Sequence, residues 1–524
     1  MLVHHGNLLG LEHEVGHPIR TKVMSIDRII LLQLLAWLAW AAWLLPNHGH
    51  LGPDEAYFYN ETLRVVQEGT FPVFGAPISG TEPPTLTPGG AVFLLYAPAF
   101  VFGVDPRLGV LWLIALTAFA IWFMDRTFRQ LGLPELMRLL IAVFVTWSAW
   151  HTVHSDRIWN PHLFFVVSPV LLALALKLRR RFQADGTKPP PVFHCLIFGV
   201  VSGVALQIHP GGTLAVAACG LMILLPAPVW GPWPWTRLLR LVGVGAIGLL
   251  LTYLPYLWHE FHAGFVNTQH LRSGIPASGA NWRAVAKSLI YPYIYASHFS
   301  FRVLKPQSLM EATVLALQLA SLLIGLVATV QFYRCSPALL RLPQEFWKES
   351  IAPFRILSIA SLAMLPVAFF LSQRDYYHHY VSSVIPYFII SAAVGTYLAI
   401  QRWVSKKRTI LVLVGIWVIA GLVTPTYRYL WVPRVWASIP NSLVETKALL
   451  QSGRPVPIPE DGRLIMVWWS LAKNVFHEEL LFQNDRGGIC RVQIVRAVGS
   501  AATEMAPFVS YLPAYLVCEK PSAP

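Results

Sequence analysis

Eleven long apolar runs divide this sequence, and no other feature limits its fold so strongly. A helix that crosses a bilayer needs about 20 mostly apolar residues. The runs lie near 29–46, 108–124, 139–150, 163–178, 193–208, 212–225, 238–258, 309–333, 354–371, 381–400 and 409–424. Over 524 residues only 13% are charged and 55% are apolar, whereas soluble proteins are about one quarter charged. An ordinary cytosolic enzyme, a disordered chain, a coiled coil and a small disulfide scaffold are all excluded. The pattern predicts an all-α polytopic membrane protein with about eleven transmembrane helices.

A formal charge of +14 suggests nucleic acid until the basic residues are located. Most flank the apolar runs, as Lys and Arg do when they mark the cytoplasmic side of a membrane, so no nucleic-acid partner is expected. The segment 90–103 (GAVFLLYAPAFVFG) is too short for an ordinary span and suits an interfacial or re-entrant helix. With that segment at the surface and the N-terminus inside, cytoplasmic segments hold about 21 of the 40 Lys and Arg, outer loops about 9 and the C-terminal tail about 10. Letting 90–103 span would reverse the bias.

The organisation that follows is a cytoplasmic segment 1–28, a transmembrane unit 29–424 and an extracytoplasmic tail 425–524. Met24 is a candidate alternative start, and the first apolar run is too long and too poorly cleavable for a signal peptide. Loops 47–107 and 258–308 face outwards with the short turns at 151–162, 209–211 and 372–380. The segments KLRRR and RWVSKKR face the cytoplasm. The tail is polar and punctuated by proline. Its bursts RLIMVWW and RVQIVRAV read as strands and LAKNVFHEELLF between them as a helix, giving a small α/β domain. Of five cysteines, only Cys490 and Cys518 fall in this outer tail, where a disulfide persists if geometry allows.

Acids are few outside the membrane, so each one counts. Asp54 and Glu55 stand together in GHLGPDEAYFYNETLRVVQEG, about eight residues after the first span. Pro-Asp-Glu ahead of AYFYNETLRVV opens a helix well, and acids favour its positive end. A carboxylate held just above the bilayer also serves as a general base toward an acceptor hydroxyl. The two roles are compatible.

One cytoplasmic N-terminal span, an outer loop with PDEAYF, then EPPTLTPGGAVFLLYAPAFVFG before the second span resembles the membrane glycosyltransferases of the GT-C fold. The protein O-mannosyltransferases, the aminoarabinose transferases of lipid A and the RgtA/B/C/D-like bacterial enzymes are the types it looks most like. The resemblance implies a catalytic Asp54 in the first outer loop, followed by a proline-containing amphipathic helix. HSDRIWNPHLFF matches the place of a family arginine, which makes Arg157 a phosphate or sugar contact, with Asn160 where some relatives have an acid. QIHPGG puts His209 where relatives often carry a lysine. SQRDYYHHYVSSVIPYF looks like the family segment that leads into a proline-containing helix, so Arg374, His378, His379 and Tyr380 are expected to hold a lipid phosphate. Arginine suits that task because its planar fork bonds two phosphate oxygens and stays ionised.

Each site has a plainer alternative: an interfacial ion pair for Asp156 and Arg157, a hydrogen-bonding turn for His209, an aromatic belt with basic anchors at 374–380. His259, Glu260 and His262 lie close together, but no partner set completes a metal site. A divalent cation is compatible with the sequence without being required by it. No GxxxxGK(S/T) and no DxD occurs, so neither an ATP-driven pump nor a cytosolic nucleotide-sugar transferase is written here. The sequon at Asn60 (NET) stands so near the acidic pair that a glycan would crowd it, and it reads as accidental in a bacterial protein.

The expectation is an inverting transferase in the cytoplasmic (inner) membrane that takes a sugar from a polyprenyl-phosphate carrier to an outer acceptor: protein, lipid or polysaccharide. Asp54 takes the acceptor proton, Glu55 orients the acceptor or nearby backbone, and the basic residues stabilise the leaving phosphate. Two rivals are a polymerase or ligase acting on lipid-diphosphate oligosaccharides and a secondary transporter. The latter calls for ionisable residues deep in spans or an internal repeat, and neither is visible.

Overall fold

The computed structural model describes residues 25–78, 85–148, 156–184, 191–225, 235–273, 281–297, 306–334, 351–372, 378–403, 405, 407–431, 438–459, 463–484, 489–494, 506–507 and 514–518. It is dominated by helices. The first half comprises α1 (Ile26–His48), α2 (Pro53–Glu68), a hairpin of β1 (Phe74–Ile78) and β2 (Thr85–Pro88), α3 (Ala91–Phe100), α4 (Pro106–Gln130) and α5 (Glu135–Thr146). A 3-10 turn (Asn160–Leu163) then leads into α6 (Phe164–Ala184), α7 (Val192–Ile208), α8 (Gly212–Leu224) and α9 (Trp235–His262). Next come α10 (Val266–Ser273), α11 (Trp282–Ala296), α12 (Leu309–Arg334), α13 (Ala352–Ser372), a 3-10 turn (His378–Val381), α14 (Ile385–Arg402) and α15 (Lys407–Trp431).

Seven helices are long and apolar enough to cross a membrane, and the chain is a polytopic membrane protein. The other four predicted spans are helices too: α5, α7 and α8 have 12, 17 and 13 residues, and α14 has 18. Each packs against other helices of the bundle. In α14 most side chains are buried, from Ile385 through Thr396. By contrast α9 presents Leu239, Val242, Ile247, Leu250, Leu254 and Trp258 outward, a stripe over about 30 Å that only lipid would cover without cost. Segment 90–103 yields α3, ten residues long and about 15 Å, too short to span, as its length predicts.

Close helix approach is written in glycine. A Cβ at Gly199 of α7 would sit 2.0 Å from the Gly245 carbonyl oxygen of α9, so these backbones touch where no side chain intervenes. At the end of the bundle far from α2, buried Arg138 of α5 bonds Asp125 of α4 at 2.9 Å and Asp27 of α1 at 2.6 Å, while Arg129 meets Asp27 at 2.5 Å. Three helices are tied there by charge.

The C-terminal part contains α16 (Ile439–Gln451), β3 (Val456–Pro457), α17 (Arg463–Leu471) continued by a π turn (Ala472–Phe476), β4 (Phe482–Gln483), β5 (Ile489–Ile494), β6 (Ala506–Pro507) and β7 (Ala514–Cys518). The sheet order is β3-β4-β5-β7-β6, with β3 and β4 parallel and the other pairs antiparallel. Helix and sheet both occur, but two assignments change. RLIMVWW is helix α17, not a strand. It is sandwiched: Met466, Val467 and Leu471 join the membrane-unit core, whereas Ile465 and Ala472 join a second cluster with Val456, Leu480 and Phe482. A segment buried on two sides is apolar all round, and such a run carries no period that distinguishes helix from strand. LAKNVFHEELLF is helical only through its π turn, after which His477 takes a left-handed conformation (φ 57°) and the chain extends into β4. Cys490 is disulfide-bonded, and its cross-strand neighbour in register is Cys518. Cys195 and Cys219 are free and buried, and Cys335 lies outside the described residues.

Candidate active site

Helix α2 starts where the chain leaves α1. Gly52 is extended at the N-cap, Pro53 fixes the first helical φ, and Asp54 and Glu55 complete the first turn. Glu55 is 5% exposed. Its Oε2 accepts the Gly52 N–H at 3.1 Å and its Oε1 accepts from Arg157 Nη1 at 3.1 Å. The carboxylate therefore closes the helix start as a capping group does and anchors the arginine. Asp54, one residue earlier, is only partly buried.

Arg157 is held from both sides, because its Nε also donates to Asp156 at 3.1 Å. Its guanidinium carbon lies 5.8 Å from the centre of the Trp159 ring. Asp156 is fully buried. Burial alone would raise its carboxyl, but Arg157, His50, Arg428 and His162 outweigh that and hold it well below the usual carboxylate range. The Asp156 carbonyl accepts the His50 N–H at 3.2 Å, which ties the 156–163 turn to the chain entering α2. On its other side Trp159 accepts through its carbonyl from the Tyr96 hydroxyl of α3 at 3.1 Å.

The turns at 209–211 and 378–384 converge on the same face. Asn160 donates to the Ile208 carbonyl at 2.8 Å, beside His209. The His209 ring accepts the Gly211 N–H at 3.0 Å and stacks on Tyr380, ring centres 5.3 Å apart. Ser383 donates to the Gly211 carbonyl at 2.6 Å, and Ser168 donates to the Ser383 carbonyl at 2.7 Å. A Cβ at Gly211 would stand 2.5 Å from the Tyr380 carbonyl oxygen, so glycine permits this contact. Glu55, Arg157, His209 and Tyr380, distant in sequence, thus belong to one connected set of turns. Arg374 lies outside the described residues. His378 and His379 belong to the 3-10 turn that leads to Tyr380, and their side chains are outside the description.

Two other residues that stood out in the sequence, Glu260 and Asn60, have structural work. Glu260 is buried and accepts the Thr268 N–H at 2.8 Å, the Thr268 hydroxyl at 2.6 Å and the Asn267 N–H at 3.3 Å, so it caps α10. Asn267 in turn pairs with both Leu86 backbone groups at 3.0 Å, which docks the 258–308 loop on the hairpin. Asn60 is 2% exposed and accepts from Asn474 at 3.3 Å; a glycan on the folded chain has no room there. Sequence reading missed His50 and Arg428, whose charges face Asp156, and Gln207, which accepts the Ala91 N–H at the start of α3. Nothing local marks these residues, since each acts across a long sequence separation.

No family model and no curated relative matches the chain. Among solved structures, ArnT from Cupriavidus metallidurans aligns at a TM-score of 0.48 and 14% identity, over 87% of this chain and 86% of that one. An oligosaccharyltransferase of Archaeoglobus fulgidus in complex with Zn and sulfate aligns at 0.45 and 13% identity, over 82% of this chain and 55% of that one. The S. cerevisiae protein O-mannosyltransferase Pmt1-Pmt2 complex bound to the sugar donor aligns at 0.33 and 15% identity, over 46% and 34%. The chain spans about half the length of the archaeal protein it aligns with.

Proposed function

We propose that this protein is an inverting glycosyltransferase that moves a sugar from a polyprenyl-phosphate carrier to an acceptor hydroxyl at the membrane face bearing α2. The observation that carries the reading is the contrast between two adjacent carboxylates. Glu55 is engaged by the Gly52 N–H and Arg157, while Asp54 shares its helical turn and is more exposed. Glu55 is held inside the turn, and in this reading the half-buried Asp54 beside it takes the proton.

In the proposed reaction the acceptor oxygen attacks the anomeric carbon from the side opposite the phosphate. The bond from that carbon to the phosphate oxygen breaks, its electron pair leaves with the carrier, and the acceptor proton passes to Asp54. Charge that builds on the leaving phosphate meets Arg157 and the His209–Tyr380 turn, joined in this reading by Arg374, His378 and His379. The face bearing α2 is taken as the outer side of the cytoplasmic membrane, with the N-terminus in the cytoplasm and residues 425–524 forming an extracytoplasmic domain. The acceptor is a protein, lipid or polysaccharide presented there.

The test is native mass spectrometry of Asp54→Asn protein extracted gently with its lipids. The variant is expected to retain a polyprenyl-phosphate sugar that the wild type loses when given acceptor-rich extract, and its transfer rate is expected to fall by about 10²–10⁴-fold without loss of thermal stability. Ordinary phospholipid alone in both proteins, with transfer unchanged, would leave Asp54 a first-turn acid and overturn the proposal.

A further inference from the structure

We infer that the membrane face opposite Asp54 carries a binding site for the phosphate of a phospholipid headgroup, built on the buried guanidinium of Arg179. Helix α6 starts at the 3-10 turn beside the candidate active site, and Arg179 lies fifteen residues beyond Phe164, about 22 Å along the axis. The arginine is therefore at the far end of the bundle. It is 1% exposed.

Part of its charge has a structural use. Nη1 donates to the Met222 carbonyl in the last turn of α8, where a cation offsets the negative end of the helix. The rest does not. Among the described residues, Nε and Nη2 are buried with no hydrogen-bond partner, and no carboxylate acts on the group. Asp27 and Asp125, carboxylates of the same end, are already held by Arg129 and Arg138. A guanidinium does not shed its proton to escape burial, and a desolvated cation without a counter-charge is costly. An anion is the missing partner, and the unpaired Nε–Nη2 edge of the fork matches two phosphate oxygens.

The surroundings specify which phosphate. Further cations stand at the same end, including buried Arg355 near the start of α13, which packs on α8. Phe193 at the start of α7 and Leu225 just after α8 are 67% and 46% exposed. Exposed apolar side chains at the same end of the bundle as buried cations fit a phosphodiester that carries acyl chains better than a free ion. Positive charge flanking such helices also attracts anionic lipid.

The full chain, delipidated in detergent, is titrated with phosphatidylglycerol, diacylglycerol or inorganic phosphate, and thermal stability and native mass spectra are recorded. Wild type is expected to gain stability and bound mass with phosphatidylglycerol only. Arg179→Leu, which removes the charge without leaving an unpaired group, is expected to retain roughly tenfold less of the lipid, Arg179→Lys an intermediate amount, and exposed-site Arg180→Leu the wild-type amount. Equal retention by Arg179→Leu would reduce Arg179 to a cap of α8. Stabilisation by inorganic phosphate to the same extent as by lipid, or by diacylglycerol, would overturn the lipid-phosphate assignment. Should Arg179→Leu fail to fold, the wild-type comparison of phosphatidylglycerol with diacylglycerol decides by itself.

Discussion

At the scale of single residues, the candidate site separates into buried acids that build it, Glu55 and Asp156, and the half-buried Asp54. Asp156 is the builder whose energetics are most directly testable. Its folded carboxyl titrates below the usual range because Arg157, His50, Arg428 and His162 together outweigh the effect of burial. A carboxyl depressed on folding stabilises the protein above its unfolded value near 4, and loses that contribution only as pH falls toward the lower folded value. Asp156→Asn is therefore expected to cost about 3 kcal/mol from pH 8 to 5, in keeping with removal of one partner from a buried pair. The gap to wild type should narrow below about pH 4. Thermal melts across pH check this, and a gap that widens in acid would contradict it. Asp54 and Glu55 were legible in the sequence because adjacent acids are conspicuous among so few. The partners of Asp156 were not, because His50 and Arg428 are brought together only by the fold.

At the scale of elements, hydropathy located every long helix, because a span must be apolar over its whole length. It could not say which helices would be central. Burial around all sides of α14 is a property of its neighbours, and the contact of α7 with α9 depends on glycines whose spacing has no hydropathy signature. That contact yields a prediction. Gly199→Ala places a Cβ 2.0 Å from the Gly245 carbonyl oxygen, and backbone cannot yield as a side-chain tip does. The two helices must move apart, at a cost of about 1–3 kcal/mol. Gly220→Ala in α8 meets nothing within 4 Å and is expected to be neutral or to add up to about 1 kcal/mol through helix propensity. Melting both variants in one detergent separates packing from propensity. The misreading of RLIMVWW has the same root, since double-sided burial erases the period on which strand and helix assignments depend.

At the scale of the whole molecule, the described residues after α15 are integral to the face that bears α2. The Ile439 N–H bonds the Gly49 carbonyl at 2.8 Å, and His50 forms a β-bridge with Ser438. Helix α17 then lies on α2: Ser470 reaches the Ala56 carbonyl at 3.5 Å, Asn474 bonds Asn60, and Met466, Val467 and Leu471 complete the main core. The first two turns of α2 are thus covered at Ala56 and Asn60 by chain more than 400 positions later. Three apolar side chains at about 1.5–3 kcal/mol each set an upper scale of several kcal/mol for this attachment, a large share of ordinary domain stability. A chain ending at residue 431 should accordingly melt well below the full-length protein, by roughly 10 °C or more in the same detergent. Val467→Asp, which places an unpaired carboxylate in the seam, should produce most of that loss with the chain intact. Protease sensitivity of α2 is the readout that separates an attached lid from an appended domain. Exposure of α2 in both variants is the outcome expected here. Truncated protein with an unchanged melt and a protected α2 would instead show that the transmembrane unit holds α2 without help.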